Sequence, residues 1–83
     1  MKTIILSHSA ARDLDKLPRE AKISVTKALV TYAMSGKGDV KKLSGRDGVR
    51  MRVGSYRVIF AEDTTTVLAI YIGRRMTATY RRG

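Results

Sequence analysis

Residues 49–61, Val-Arg-Met-Arg-Val-Gly-Ser-Tyr-Arg-Val-Ile-Phe-Ala, decide how the chain folds. Val49, Met51 and Val53 alternate with Arg50 and Arg52, the period of a strand buried on one face only. Gly54-Ser55 supplies a tight turn, and residues 56–61 form the returning strand of a hairpin. Downstream, Glu62-Asp63-Thr64 is a turn. Residues 65–72 are almost all apolar and read as a third strand, closed by Gly73. The remaining segment, 74–83, fits a short strand or a helical turn. Upstream the period changes. Residues 2–6 read as a short Ile-rich strand. Ser7 or Ser9 caps a helix whose Ala10, Leu14 and Leu17 share one face. Pro18 ends or bends that helix and suits the first turn of another, in which Ala21, Val25, Ala28, Leu29 and Tyr32 keep helical spacing until Gly36 and Gly38. The expected order is β-α-α-β-β-β, a single α+β domain spanning 1–83, with a helical hairpin packed on one face of an antiparallel sheet.

The chain has 83 residues, no cysteine and one histidine. A chain of this length buries roughly 60–65% of its unfolded surface, and no disulfide supports the thin core that results. A thiolate or multi-histidine metal site is excluded, so no metal and no cofactor is expected. The N-terminal apolar run Ile4-Ile5-Leu6 is too short for a secretory signal, and no stretch approaches the ~20 residues of a membrane span. A cytoplasmic protein with no membrane partner is expected.

Seventeen Lys plus Arg against seven Asp plus Glu give a net charge of +10, which points to an anionic partner. The two halves carry this charge differently. Residues 1–45 hold seven Lys and two Arg; residues 46–83 hold eight Arg and no Lys. Lysine is a hydrated point charge, whereas arginine is a planar fork that grips phosphate oxygens and stacks on bases. Arg50 and Arg52, two apart on a strand, leave the same face, and the turn brings Arg57 alongside. Arg74 and Arg75 follow the third strand, with Tyr80, Arg81 and Arg82 beyond. Converging on one surface, these groups suit RNA, with phosphates on arginines and a base on tyrosine. An arginine on every second strand residue also describes an ordinary solvated face, but from 48 to 71 the only acids are Glu62 and Asp63, in the turn. His8 reads as a helix-start or packing residue. Asp13, Asp15 and Glu20 read as helix-surface acids beside Arg12, Lys16 and Arg19.

Two further stretches carry a family resemblance. Lys41-Lys42-Leu43-Ser44-Gly45, followed by Val49 to Phe60 with its Arg-x-Arg-x-Gly-x-Tyr-Arg pattern, resembles the signature of the RelE/ParE toxin superfamily. Ile72-Gly73-Arg74-Arg75 with Tyr80 is similar to its C-terminal element. The resemblance runs in order over almost the whole chain and lies nearer the RelE branch. It departs from that branch at Arg50, Arg52 and Arg74, where lysine or histidine is common.

The resemblance implies a RelE-like fold and the toxin of a type II toxin–antitoxin system. It implies a ribosome-dependent mRNA endoribonuclease that inhibits translation and arrests growth. The partners implied are the ribosome, mRNA and an acidic cognate antitoxin bound in a hetero-oligomer. Carried over by position, Arg57, Arg75 and Tyr80 are the catalytic groups, working without a metal. Arg50 and Arg52 hold flanking phosphates or the leaving side, and Arg74, Arg81, Arg82, Lys41 and Lys42 are further RNA-binding candidates. The alternatives are a ParE-like DNA gyrase inhibitor on the same scaffold, or a catalytically weak relative that mainly binds its antitoxin.

Overall fold

The computed structural model describes residues 1–45 and 47–74. Strand β1 (Thr3–Leu6) leads into helices α1 (His8–Asp15) and α2 (Arg19–Ser35). Four strands follow: β2 (Val40–Lys42), β3 (Val49–Val53), β4 (Tyr56–Glu62) and β5 (Thr66–Arg74). The helix boundaries follow local chemistry. The Ser7 hydroxyl accepts a hydrogen bond from the Ala10 N–H at 3.0 Å and so caps α1. Pro18 precedes α2, and Gly36, with φ of 75°, ends it by donating its N–H to the Tyr32 carbonyl at 2.8 Å. Gly54, with φ of 58°, and Ser55, without a positive φ, fit the hairpin turn that places glycine first.

The strands form one sheet in the order β1-β5-β4-β3-β2. Both helices pack on a single face. Ala10, Val25 and Leu29 meet Met51, Val58, Phe60, Val67 and Ile72 in one core, with Leu14 and Leu17 partly buried against it. The expected α+β class and helical pair on a sheet are present, with two additions. Val40–Lys42 is a fifth strand, antiparallel to β3, and β1 joins β5 in parallel, making the sheet mixed. Neither can be read locally. A three-residue strand containing Lys41-Lys42 shows no alternation, and the pairing of Thr3 with Thr66 spans most of the chain.

Strand β5 outruns β1 beyond Ala69, and side chains take over its exposed edge. The Ile70 carbonyl accepts hydrogen bonds from the Ser7 and Ser9 hydroxyls at 3.3 and 3.2 Å, and the Ile72 N–H donates to the Asp13 carboxylate at 3.2 Å. A backbone edge left unpaired there would be penalised, so Asp13, expected as a surface acid, is instead an edge cap. Asp15 faces Lys22 at 3.7 Å rather than a neighbour on its own helix. Among the described residues no helix is long and apolar enough to cross a membrane.

At the far end of the sheet, Glu62 joins three elements. Its carboxylate accepts hydrogen bonds from Lys2 Nζ and the Tyr32 hydroxyl, both at 2.7 Å. Partial burial works to raise the Glu62 carboxyl. The hydrogen bonds from Lys2 and Tyr32 and the charges of Lys2 and Lys42 outweigh it and hold the group below its ordinary value. Burial first, then the hydrogen bond to Glu62 and its charge, push the Tyr32 hydroxyl up to about 12. The two groups act at opposite ends of the pH scale. A depressed carboxyl contributes stability above its unfolded value, about 4.3, and loses it as pH falls through the lower folded value. The raised tyrosine contributes fully below about 10 and loses its share as pH climbs through the folded value. Urea midpoints of the native protein are therefore expected to decline more between about pH 5 and pH 3 than those of Glu62→Gln. Parallel declines would show that the carboxylate adds no acid-dependent stability.

Candidate functional site

Pleating sorts the side chains of β3 and β4. Val49 and Met51 are buried toward the helices, so Arg50 and Arg52 leave on the opposite face. The hairpin register sets Arg52 directly opposite Arg57 and Arg50 opposite Ile59; on the other side of β3, Lys41 stands opposite Arg50. Four cations from three adjacent strands thus share the face that no described helix covers. Directly opposed residues have Cβ atoms about 4.5–5.5 Å apart, and like charges at that spacing are destabilising. A row of this kind stores repulsion that a bound polyanion relieves.

Two neighbours moderate it. Arg52 Nε lies 3.6 Å from Asp39 Oδ2, an ion pair exposed on both sides and therefore weak. The Arg57 guanidinium lies 5.9 Å from the centre of the Tyr71 ring, within reach of a cation–π contact. Arg57 is half-buried, and its Nε is enclosed with no hydrogen-bond partner among the described residues. The guanidinium is thereby held in place by packing on one side, an arrangement that presents a fork with little freedom left to lose on binding.

The sheet separates some residues that the sequence grouped. Lys42 follows Lys41 on β2 and so points to the helix side, where its charge acts on Glu62. Arg74 pairs with Tyr56 and lies 5.9 Å over that ring, on the helix side of β5. Arg57 and Arg74 consequently diverge. Arg75, Tyr80, Arg81 and Arg82 lie outside the described residues. His8 is the first residue of α1 and exposed. Glu62 ends β4, while Asp63 shapes the turn by accepting from the N–H groups of Thr65 and Thr66, both at 2.8 Å. Those two backbone hydrogen bonds, with a third from the Thr65 hydroxyl, hold the Asp63 carboxyl below its ordinary value. Among the described residues no three His, Asp or Glu side chains gather as a metal site.

Tyr71 is the site member that sequence reasoning missed. It sits in a nearly all-apolar run in which nothing singles it out. In the sheet, Ile59 pairs with Tyr71 and Phe60 with Ala69, leaving Ile70 as an extra residue. This bulge turns Ile70 and Tyr71 out together, 42% and 40% exposed, between buried Ala69 and Ile72. Asp39 was likewise hidden, because it meets Arg52 only through the unexpected pairing of β2 with β3.

Solved structures share this architecture. One chain of the RelBE2 toxin–antitoxin complex from Mycobacterium tuberculosis superposes with a TM-score of 0.78 at 26% identity, covering 89% of this chain and 98% of that one. The intact E. coli RelBE toxin–antitoxin complex contains a chain matching with a TM-score of 0.78 at 20% identity, over 93% of this chain and 100% of that one. The YoeB dimer from Staphylococcus aureus matches with a TM-score of 0.74 at 14% identity, over 90% and 98%. No family model matches the chain, and no curated protein matches it in sequence. The two helices on a five-stranded mixed sheet are the RelE fold.

Proposed function

We propose that this chain is the toxin of a type II toxin–antitoxin pair and cuts mRNA bound to the ribosome, in the cytoplasm. The observation that carries the reading is the register of the hairpin, which lines up Arg50, Arg52 and Arg57 with Lys41 on the open face of a RelE fold. Similarity to chains from RelBE complexes supports an antitoxin as partner. For a +10 domain the complementary partner is acidic.

The reaction is an internal phosphoryl transfer. The 2′-oxygen of one nucleotide attacks the adjacent phosphorus as its proton passes to solvent water. The bond from phosphorus to the 5′-oxygen breaks, and that oxygen takes a proton from solvent water. The products are a 2′,3′-cyclic phosphate and a 5′-hydroxyl. Negative charge grows on the phosphate oxygens and the leaving oxygen. Fixed guanidinium groups stabilise that growth and need no metal to do so. Arg57 is the phosphate clamp in this scheme, together with Arg75. Arg50, Arg52 and Lys41 hold neighbouring phosphates and thereby the register of the strand. Arginine stays protonated in proteins, so the proton is not taken by the arginines; Tyr80 is assigned to the nucleotide before the cut. Arg75 and Tyr80 are assigned on sequence alone.

Purified ribosomes carrying a defined mRNA give the test. The native protein is expected to cut within the codon at the decoding site, mapped by primer extension, and to leave free mRNA uncut. Intact mRNA accompanied by accumulated gyrase–DNA cleavage complexes would replace this reading with gyrase inhibition. Intact mRNA with no growth arrest would leave a protein that only binds its antitoxin.

A further inference from the structure

We propose that Tyr71 is a base-stacking residue of the arginine site, binding the nucleobase next to the phosphate that Arg57 holds. The inference rests on the RNA-cleavage reading above and adds a residue to it. Three observations converge on this ring. Tyr71 lies on the same sheet face as Arg57, since its register partner Ile59 is two residues along β4. The Arg57 guanidinium lies 5.9 Å from the ring centre. And Gly73, the register partner of Arg57, is where the ring lies down. A Cβ added at Gly73 would collide with the Tyr71 hydroxyl oxygen, and the three heavy atoms nearest to it all belong to the Tyr71 side chain.

Gly73 has no positive φ, so its backbone does not call for glycine. What the missing side chain provides is a slot along β5 in which a tyrosine ring lies toward Arg57. Tyr71 is 40% exposed, so solvent and ligands reach it. A partly exposed tyrosine beside a phosphate-binding guanidinium is the arrangement that single-stranded RNA uses, with the backbone on the cation and the base on the ring. Stacking is tolerant of base identity, so this contact would hold any codon rather than select one.

The test measures binding of the full-length protein to ribosomes carrying an mRNA whose 2′-hydroxyls at the decoding codon are methylated, which blocks the cut, and to ribosomes without mRNA. Tyr71→Phe is expected to bind the mRNA-loaded ribosome within about twofold of the native protein. Tyr71→Leu, which keeps the apolar bulk, is expected to bind it about tenfold more weakly with unchanged affinity for the empty ribosome. Gly73→Ala, which lifts the ring from its slot while keeping it, is expected to follow Tyr71→Leu. Equal affinity of Tyr71→Leu and the native protein for loaded ribosomes overturns the stacking role and leaves the RNA reading standing. Loss in Tyr71→Phe as large as in Tyr71→Leu also overturns it, by moving the contribution to the hydroxyl. A native protein that does not distinguish loaded from empty ribosomes overturns the RNA reading itself. Circular dichroism of each variant separates these outcomes from unfolding.

Discussion

Replacing Arg57 with alanine is expected to slow cleavage on programmed ribosomes by about 10²–10³-fold, the loss that follows removal of one preorganised donor to a developing oxyanion. The fold should survive. Arg57 is half-buried rather than part of the core, and its enclosed Nε has no partner among the described residues, so the change removes an unmet donor instead of creating one. Arg57→Lys keeps the charge but not the fork and should fall between the two. Arg50→Ala is expected to lose less, because it stands opposite Ile59 and Lys41, away from the Gly73 end of the face. Single-turnover cleavage with thermal melts of the same samples provides the check. If Arg57→Ala cut at the native rate, the clamp would lie elsewhere on the molecule.

Phe60→Ala gives the second large effect, on stability. Phe60 is fully buried at the centre of the core, with its ring 5.1 Å from that of Tyr32 at a 55° tilt. Deleting a buried aromatic side chain costs about 3–5 kcal/mol in lost transfer and in the cavity left behind. A domain of 83 residues has roughly 4–12 kcal/mol to lose in total. The variant should therefore unfold at much lower urea, and part of the population should be unfolded at body temperature. The same substitution also disturbs the Tyr32–Glu62–Lys2 link, because Tyr32 joins both. A urea midpoint close to the native value would mean that the core closes around the gap. The two variants together separate loss of activity through chemistry from loss through unfolding.

What the sequence reveals follows the range of the physics behind it. Caps, turns and alternation are local, so Ser7, Pro18, Gly36 and the Gly54-Ser55 turn stand where their chemistry places them, and the Arg50, Arg52, Arg57 face follows from the hairpin alone. Pairings between distant segments leave no local mark. Val40–Lys42 therefore carries no local sign of a strand, β1 none of its place beside β5, and Asp13 none of its bond to the Ile72 N–H. Tyr71 is hidden for a further reason. A bulge shifts the inward and outward alternation by one residue, and an apolar run shows no contrast from which to detect the shift.

The parallel seam between β1 and β5 has a consequence for how the protein is made. Polypeptides emerge N-terminus first, yet Thr3 must wait for Thr66 and Leu6 for Ala69 before the sheet can close. Such long-range pairing makes folding slow and late. Until β5 has emerged, β4 is an open edge, β1 has no strand neighbour, and Arg57 stands without the Gly73 and Tyr71 that lie across from it. On the proposed reading, the unfinished chain is harmless to the ribosome producing it. Its order of synthesis therefore delays completion of the arginine face until the last described strand has emerged.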